Sequence, residues 1–198
     1  MKVYHVKRAR KSYPCARGDA IEVGESYCYI TPRFGPARSF CKRHHPRPSD
    51  LAGGKLAEAY AAQEGLEDDL AAFNSGELDI DGLRSSIEEA AGEAERIADE
   101  YEESVSNMPE QLQESPVAED CRERAEALRD WAGELQGLNL DDEPEAEAEE
   151  HEAEKSEEES EEEEEEKANL EEQRESELES WREQISSDVE SALSSLSI

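Results

Sequence analysis

The chain between residues 49 and 140 places most of its apolar side chains three or four positions apart, the spacing of one face of an α-helix. The three stripes are Leu56, Tyr60, Leu66, Leu70 and Phe73, then Leu83, Ile87, Ala90, Ala94, Ile97, Tyr101 and Val105, and finally Cys121, Ala125, Leu128, Trp131, Ala132 and Leu135. Asn107-Met108-Pro109 ends the second stripe, and Ser115-Pro116 offers an N-cap and a first-turn proline to the third. The pattern predicts an antiparallel helical hairpin or small bundle.

The first 48 residues show no helical period and contain short runs typical of β-strands. Residues 20–23 and 26–30 flank Gly24-Glu25, which predicts a β-hairpin, and a second turn at 33–36 leads back to a strand at 39–41.

A fourth stripe steps by three and four residues near the end of the chain, through Leu178, Trp181, Ile185, Val189, Ala192 and Leu196. It predicts an amphipathic helix within residues 167–198. Two destinations are open for the apolar seam at 178–196: the protein's own helices, or a protein partner, including a second copy of the chain.

The net charge of −33 is divided unevenly along the chain. Residues 1–48 carry eleven bases and three acids, whereas residues 141–166 carry eighteen acids and one lysine. Such asymmetry predicts a basic head at 1–48, a helical domain at 49–140, an acidic disordered linker at 141–166 and the C-terminal helix at 167–198. Adaptation to a salty cytoplasm is an alternative source of the acidity.

Several classes of protein are disfavoured by what the 198 residues lack. No run of 18 apolar residues or signal-peptide core occurs, which predicts a cytoplasmic protein that does not bind membranes. No glycine-rich phosphate loop or nucleophile elbow occurs, so we expect neither an enzyme nor a small-molecule substrate.

Three of the four cysteines, Cys15, Cys28 and Cys41, lie in the head, and Cys41 and His44 have a C-x2-H spacing. Thiolate and imidazole ligands favour Zn²⁺, and a segment of this size needs a staple to fold. The spacing therefore predicts a structural zinc ion. The alternative is a degenerate finger without metal, in which Cys28 packs as a small apolar residue.

The head also resembles a small zinc finger of bacteriophage proteins, itself loosely similar to the zinc finger of poly(ADP-ribose) polymerases. The resemblance is carried by Arg8-Ala9-Arg10-Lys11, Cys15, Ile21-x-x-Gly24-Glu25-x-Tyr27, Pro32-Arg33-Phe34-Gly35-Pro36 and Cys41-x-x-His44, and more loosely by residues 107–113. It implies a zinc clamped by Cys15, Cys41 and His44. Gly18 stands where the pattern has its remaining cysteine, so Cys28 is taken as the fourth ligand, with His45 and His5 as alternatives.

Basic and aromatic residues interleave in the head. Arg33, Arg38, Lys42 and Arg43 alternate with Tyr27, Tyr29, Phe34 and Phe40. This combination predicts phosphate neutralisation with stacking of bases on the rings. Two alternatives remain: the rings form the core of the finger, or the basic head rests on the chain's own acidic remainder.

Together these features predict an α+β fold, mainly α, with a small zinc-finger-like β-hairpin head, a helical hairpin or bundle, a disordered acidic linker and a C-terminal amphipathic helix. The predicted function is that of a non-enzymatic, phage-type zinc-binding adaptor, active within an infected cell, whose head contacts nucleic acid or a protein. The alternative is an acidic interaction or assembly protein, or a nucleic-acid mimic, with a purely structural finger.

Overall fold

A computed structural model describes residues 1–33, 35–140, 144 and 161–196, with backbone alone for 161–171. The fold is α+β and mainly α, as predicted. Its strands are β1 (Val3–Val6), β2 (Tyr13–Pro14), β3 (Ala20–Ile21), β4 (Tyr27–Ile30) and β5 (Arg38–Phe40). Its helices are α1 (Pro48–Leu51), α2 (Lys55–Asn74), α3 (Ile80–Ser106), α4 (Pro116–Gln136) and α5 (Glu161–Ser195), with a 3-10 turn at Glu110–Leu112.

The head contains two small antiparallel sheets. One has the strand order β1-β4-β5, and the other pairs β2 with β3. The predicted hairpin joining 20–23 to 26–30 is therefore wrong, because β3 and β4 belong to different sheets. The turn between them is bonded to Ala9, whose amide donates to the Glu25 carbonyl at 2.7 Å and whose carbonyl accepts from Gly24. Strand β1 instead pairs along all four residues of β4.

The helical body follows the predicted stripes, except that Leu56 and Tyr60 on α2 are only half-buried and Ala59 enters the core in their place. Asp79 caps α3 by accepting from the Gly82 amide, and Ser115 caps α4 by accepting from Ala118, with Pro116 in the first turn. The main core is lined by α2, α3, α4 and α5, and it includes Leu66, Phe73, Leu83, Ile97, Leu128, Trp131, Ile185 and Val189.

The C-terminal helix is part of this core. Ile185, Val189 and Ala192 are buried, and Trp181 packs edge-on against Phe73 with 5.6 Å between ring centroids. The apolar face of the C-terminal helix therefore packs against the protein's own helices, one of the two predicted alternatives. This surface is not free for the protein partner predicted at 178–196. The helix begins at Glu161, earlier than the predicted boundary at 167. The linker residues before it, apart from Pro144, lie outside the described residues.

Two buried acids join the head to the body. Asp50, only 5% exposed, binds the guanidinium groups of Arg17 and Arg38 at 3.1 and 2.7 Å and accepts from the Arg47 amide. Glu64 on α2 accepts from the amide and hydroxyl of Ser49 at 2.8 and 2.6 Å. Each buried carboxylate therefore has its hydrogen-bond partners. Asp50 binds the head to α1, and Glu64 binds α1 to α2.

Candidate metal centre

The cluster is formed by two tight turns that leave the ends of β2 and β5. In the first, the Cys15 amide donates to the Asp19 carbonyl at 2.7 Å and the Gly18 amide donates to the Cys15 carbonyl. In the second, the His44 amide donates to the Cys41 carbonyl at 3.1 Å. The two turns face each other, because the Ala16 amide donates to the carbonyl of Ser39 on β5.

Cys15, Cys41 and His44 place their ligand atoms within 4.8 Å of one another. The Nδ1 atom of His44 lies 3.5 Å from the Cys15 sulfur and 3.4 Å from the Cys41 sulfur. In a tetrahedral zinc site, ordinary Zn–S and Zn–N bond lengths place sulfur and nitrogen about 3.6 Å apart. The three residues therefore have both the chemistry and the spacing that zinc requires.

The surroundings of the cysteines suit a structural ion. Both are buried, and they share a small apolar cluster with Ala9 and Ile21. The Cys41 backbone amide donates to the Cys15 sulfur at 3.4 Å, a contact that holds this sulfur beside the second turn. A metal here would tie the β2–β3 sheet to the three-stranded sheet.

Cys28, predicted as the fourth ligand, is not brought into the cluster. Its side chain packs with Ile30 and Phe40 in a separate apolar group, and its thiol points at the Phe40 carbonyl at 3.9 Å. Burial raises the pKa of the Cys28 thiol, and the nearby charges of Cys15 and Cys41 add to the rise. A protonated thiol is a poor zinc ligand.

The two alternatives for the fourth ligand, His5 and His45, are exposed and also lie outside the cluster. A residue that the sequence analysis did not select comes closer. The Asp19 Oδ2 atom is 3.6 Å from the Cys41 sulfur and 3.7 Å from the His44 Nδ1 atom. The sequence feature that could have indicated Asp19 is a carboxylate directly after Gly18, in the turn that follows Cys15.

The predicted nucleic-acid residues have different environments. Lys42 and Arg43 are exposed in the loop between the two ligands Cys41 and His44, and Arg33 is exposed. Arg38 instead binds Asp50 and lies over the ring of Phe40, 5.7 Å from its centroid.

The predicted stacking rings are also divided. Phe40 is fully buried, so it belongs to the core and is not available to stack on a base. Phe34 lies outside the described residues. Tyr27 and Tyr29 lie on the other face of β4 from Cys28 and Ile30 and remain half-buried.

A row of four tyrosines runs across the head. Tyr4 stacks on Tyr29 at 5.1 Å, Tyr29 lies 6.3 Å from Tyr27, and Tyr27 lies 5.3 Å from Tyr13. Lysines lie at both ends. The Lys2 ammonium is 5.5 Å from the Tyr4 ring centroid, and that of Lys11 is 5.2 Å from the centroid of Tyr13. The sequence pattern pointed to Tyr27 and Tyr29 but not to Tyr4 and Tyr13. Tyr4 reaches the row only through the pairing of β1 with β4, and Tyr13 only through its contact with Tyr27.

Comparison of the chain with protein-family models, curated proteins and solved structures found no match. Among the described residues, no helix is both long enough and apolar enough to cross a bilayer.

Proposed function

We propose that this protein is a non-enzymatic, phage-type adaptor whose head is stapled by a structural zinc ion and binds single-stranded nucleic acid. The zinc half of the proposal is supported by the geometry of Cys15, Cys41 and His44. The four buried residues of the surrounding cluster form too small a core to hold two sheets together, so a metal would contribute directly to folding.

The tyrosine row, Tyr4-Tyr29-Tyr27-Tyr13, carries the nucleic-acid half. Its rings contact one another at 5.1 to 6.3 Å, so bases would stack on the exposed side of the row, where Tyr4 is 41% exposed. Stacking tolerates any base because every base has an aromatic face. Lys2 and Lys11 at its two ends supply positive charge for phosphates. Single-stranded nucleic acid fits better than a duplex, whose bases are already stacked on one another.

The test is binding of a fluorescent single-stranded oligonucleotide to the zinc-loaded full chain, at low and at physiological salt. Tyr29→Ala should weaken binding about 5- to 150-fold, the range for loss of one base-stacking ring. Tyr29→Phe is the matched control, since it keeps the ring and should bind like the wild type.

A second pair of variants separates stacking from charge. Lys2→Gln and Lys11→Gln should weaken binding at low salt and matter less at high salt, where screening has already reduced the attraction. Absence of binding by the zinc-loaded wild type at low salt would overturn the nucleic-acid half. That result would favour the alternative of an acidic interaction protein with a purely structural head.

A further inference from the structure

We propose that the carboxylate of Asp19 is the fourth ligand of the zinc ion, in place of the cysteine that the finger pattern has at position 18. The inference rests on the proposed zinc site and specifies its ligand set as Cys15, Asp19, Cys41 and His44.

The distances support a carboxylate ligand. With ordinary zinc bond lengths, a tetrahedral site places its oxygen ligand about 3.6 Å from a sulfur and about 3.4 Å from a nitrogen. Asp19 Oδ2 is 3.6 Å from the Cys41 sulfur and 3.7 Å from His44 Nδ1. Asp19 lies outside the group whose ligand atoms all come within 4.8 Å of one another, so its carboxylate has to turn toward the Cys15 sulfur to complete the site. Its side chain is 42% exposed, which leaves room for that rotation.

The backbone explains why the ligand lies at position 19. Gly18 has φ +95°, a left-handed conformation that a cysteine would adopt only with strain. A Cβ built on Gly18 meets no atom within 4 Å, so nothing packs against that position. The hydrogen bond from the Cys15 amide to the Asp19 carbonyl closes the turn. It thereby places Asp19, the residue after Gly18, beside Cys41 and His44.

Charge also favours this set of ligands. Two thiolates and one carboxylate around Zn²⁺, with neutral imidazole, give the site a net charge of −1. The head around it carries eleven bases against three acids, so the negative site is stabilised by its surroundings. The exposed Lys42 and Arg43 lie between two of the ligands in the chain.

The experiment measures the affinity of the full chain for Zn²⁺ by competition with a chromophoric chelator, and the absorption spectrum of the Co²⁺-loaded protein. Asp19→Asn should lower zinc affinity at least tenfold, the lower end of the range reported even for outer-sphere partners of metal ligands. It should also alter the ligand-field bands of cobalt. Glu22→Gln, an exposed acid in the same head, is the matched control and should change neither.

Two further variants decide between ligands. Asp19→Cys should restore tight binding and add a third thiolate to the sulfur-to-cobalt charge-transfer band, because the new sulfur would occupy the fourth position. Cys28→Ala should leave that band at its two-thiolate intensity. Wild-type affinity in Asp19→Asn, or loss of charge-transfer intensity in Cys28→Ala, would overturn the inference and leave the zinc site standing. A wild-type chain that binds no zinc would overturn both.

Discussion

The indole Nε1–H of Trp131 donates a hydrogen bond to the backbone carbonyl of Ala192, 3.1 Å away. The two residues lie on α4 and α5, and the indole is fully buried. The Gln63 side chain on α2 makes a similar bond to the Leu193 carbonyl at 3.0 Å. Side chains of two helices thus bond the backbone of a third near its C-terminal end, where the last carbonyls lack backbone N–H partners within the helix.

Trp131→Phe should destabilise the body by about 1–3 kcal/mol, since it removes a buried hydrogen bond and leaves a void. Denaturant unfolding followed by far-UV circular dichroism measures the change. Ile97→Val is the control, because it leaves a void in the same core without removing a hydrogen bond. An equal loss in both variants would contradict the special role of the Trp131–Ala192 bond.

Removing zinc should unfold the head while the body stays helical. The head depends on the proposed metal to join its two sheets, whereas the body has a core of its own. Addition of a chelator to the zinc-loaded chain should abolish the near-UV dichroism of the stacked tyrosines and leave most of the far-UV helical signal. Cys41→Ala should resemble the chelated protein without any chelator. Parallel loss of both signals would mean that the head and body unfold as one unit.

Asp50→Ala should destabilise the junction by about 1–3 kcal/mol, because it leaves Arg17 and Arg38 without their shared carboxylate. The two guanidinium groups are partly exposed, so the loss should fall below that for a fully buried ion pair. Faster proteolysis between the head and α2 is the second expected effect. Replacement of an exposed acid on α3, Glu88→Ala, should affect neither measurement.

The Arg47–Asp68 ion pair predicts a small acid dependence of stability. A hydrogen bond from Arg47, at 2.6 Å, holds the pKa of Asp68 below its usual range. A carboxyl whose pKa is lower in the folded state stabilises the protein above its unfolded pKa, and this contribution disappears as the pH falls through the folded value. Asp68 is 61% exposed, so we expect only about 0.5 kcal/mol. Denaturation midpoints of the wild type and Asp68→Asn should differ at neutral pH and converge below about pH 4.

The body could be predicted from the sequence because its information is local. Helical stripes repeat over many turns, and the caps Asp79 and Ser115 stand directly before their helices. The strand pairing of the head could not be predicted. Strands β2 and β3 have two residues each, too few to show a period, and β1 pairs with a strand more than twenty residues away.

The candidate site was predicted only in part for the same reason. The C-x2-H spacing of Cys41 and His44 lies within one turn and is visible in the sequence. The location of Cys28 depends on which face of β4 turns inward, and this is decided by its pairing with His5 and Phe40. Asp19 is one acid in a turn, and only the meeting of the two turns distinguishes it from Glu22 or Glu25.

The junction between head and body changes how many cations a nucleic acid would meet. Among the described residues, acids of the body hold three of the eleven bases of the head: Asp50 binds Arg17 and Arg38, and Asp68 binds Arg47. Each phosphate that a protein neutralises on a single strand releases condensed counterions. The logarithm of the binding constant therefore falls with the logarithm of the salt concentration, with a slope of about −0.7 per contact. At most eight bases of the head therefore remain to contact phosphates and displace counterions. If the measured dependence of log affinity on log salt concentration is steeper than eight phosphate contacts can produce, the ion pairs of the junction must open when nucleic acid binds.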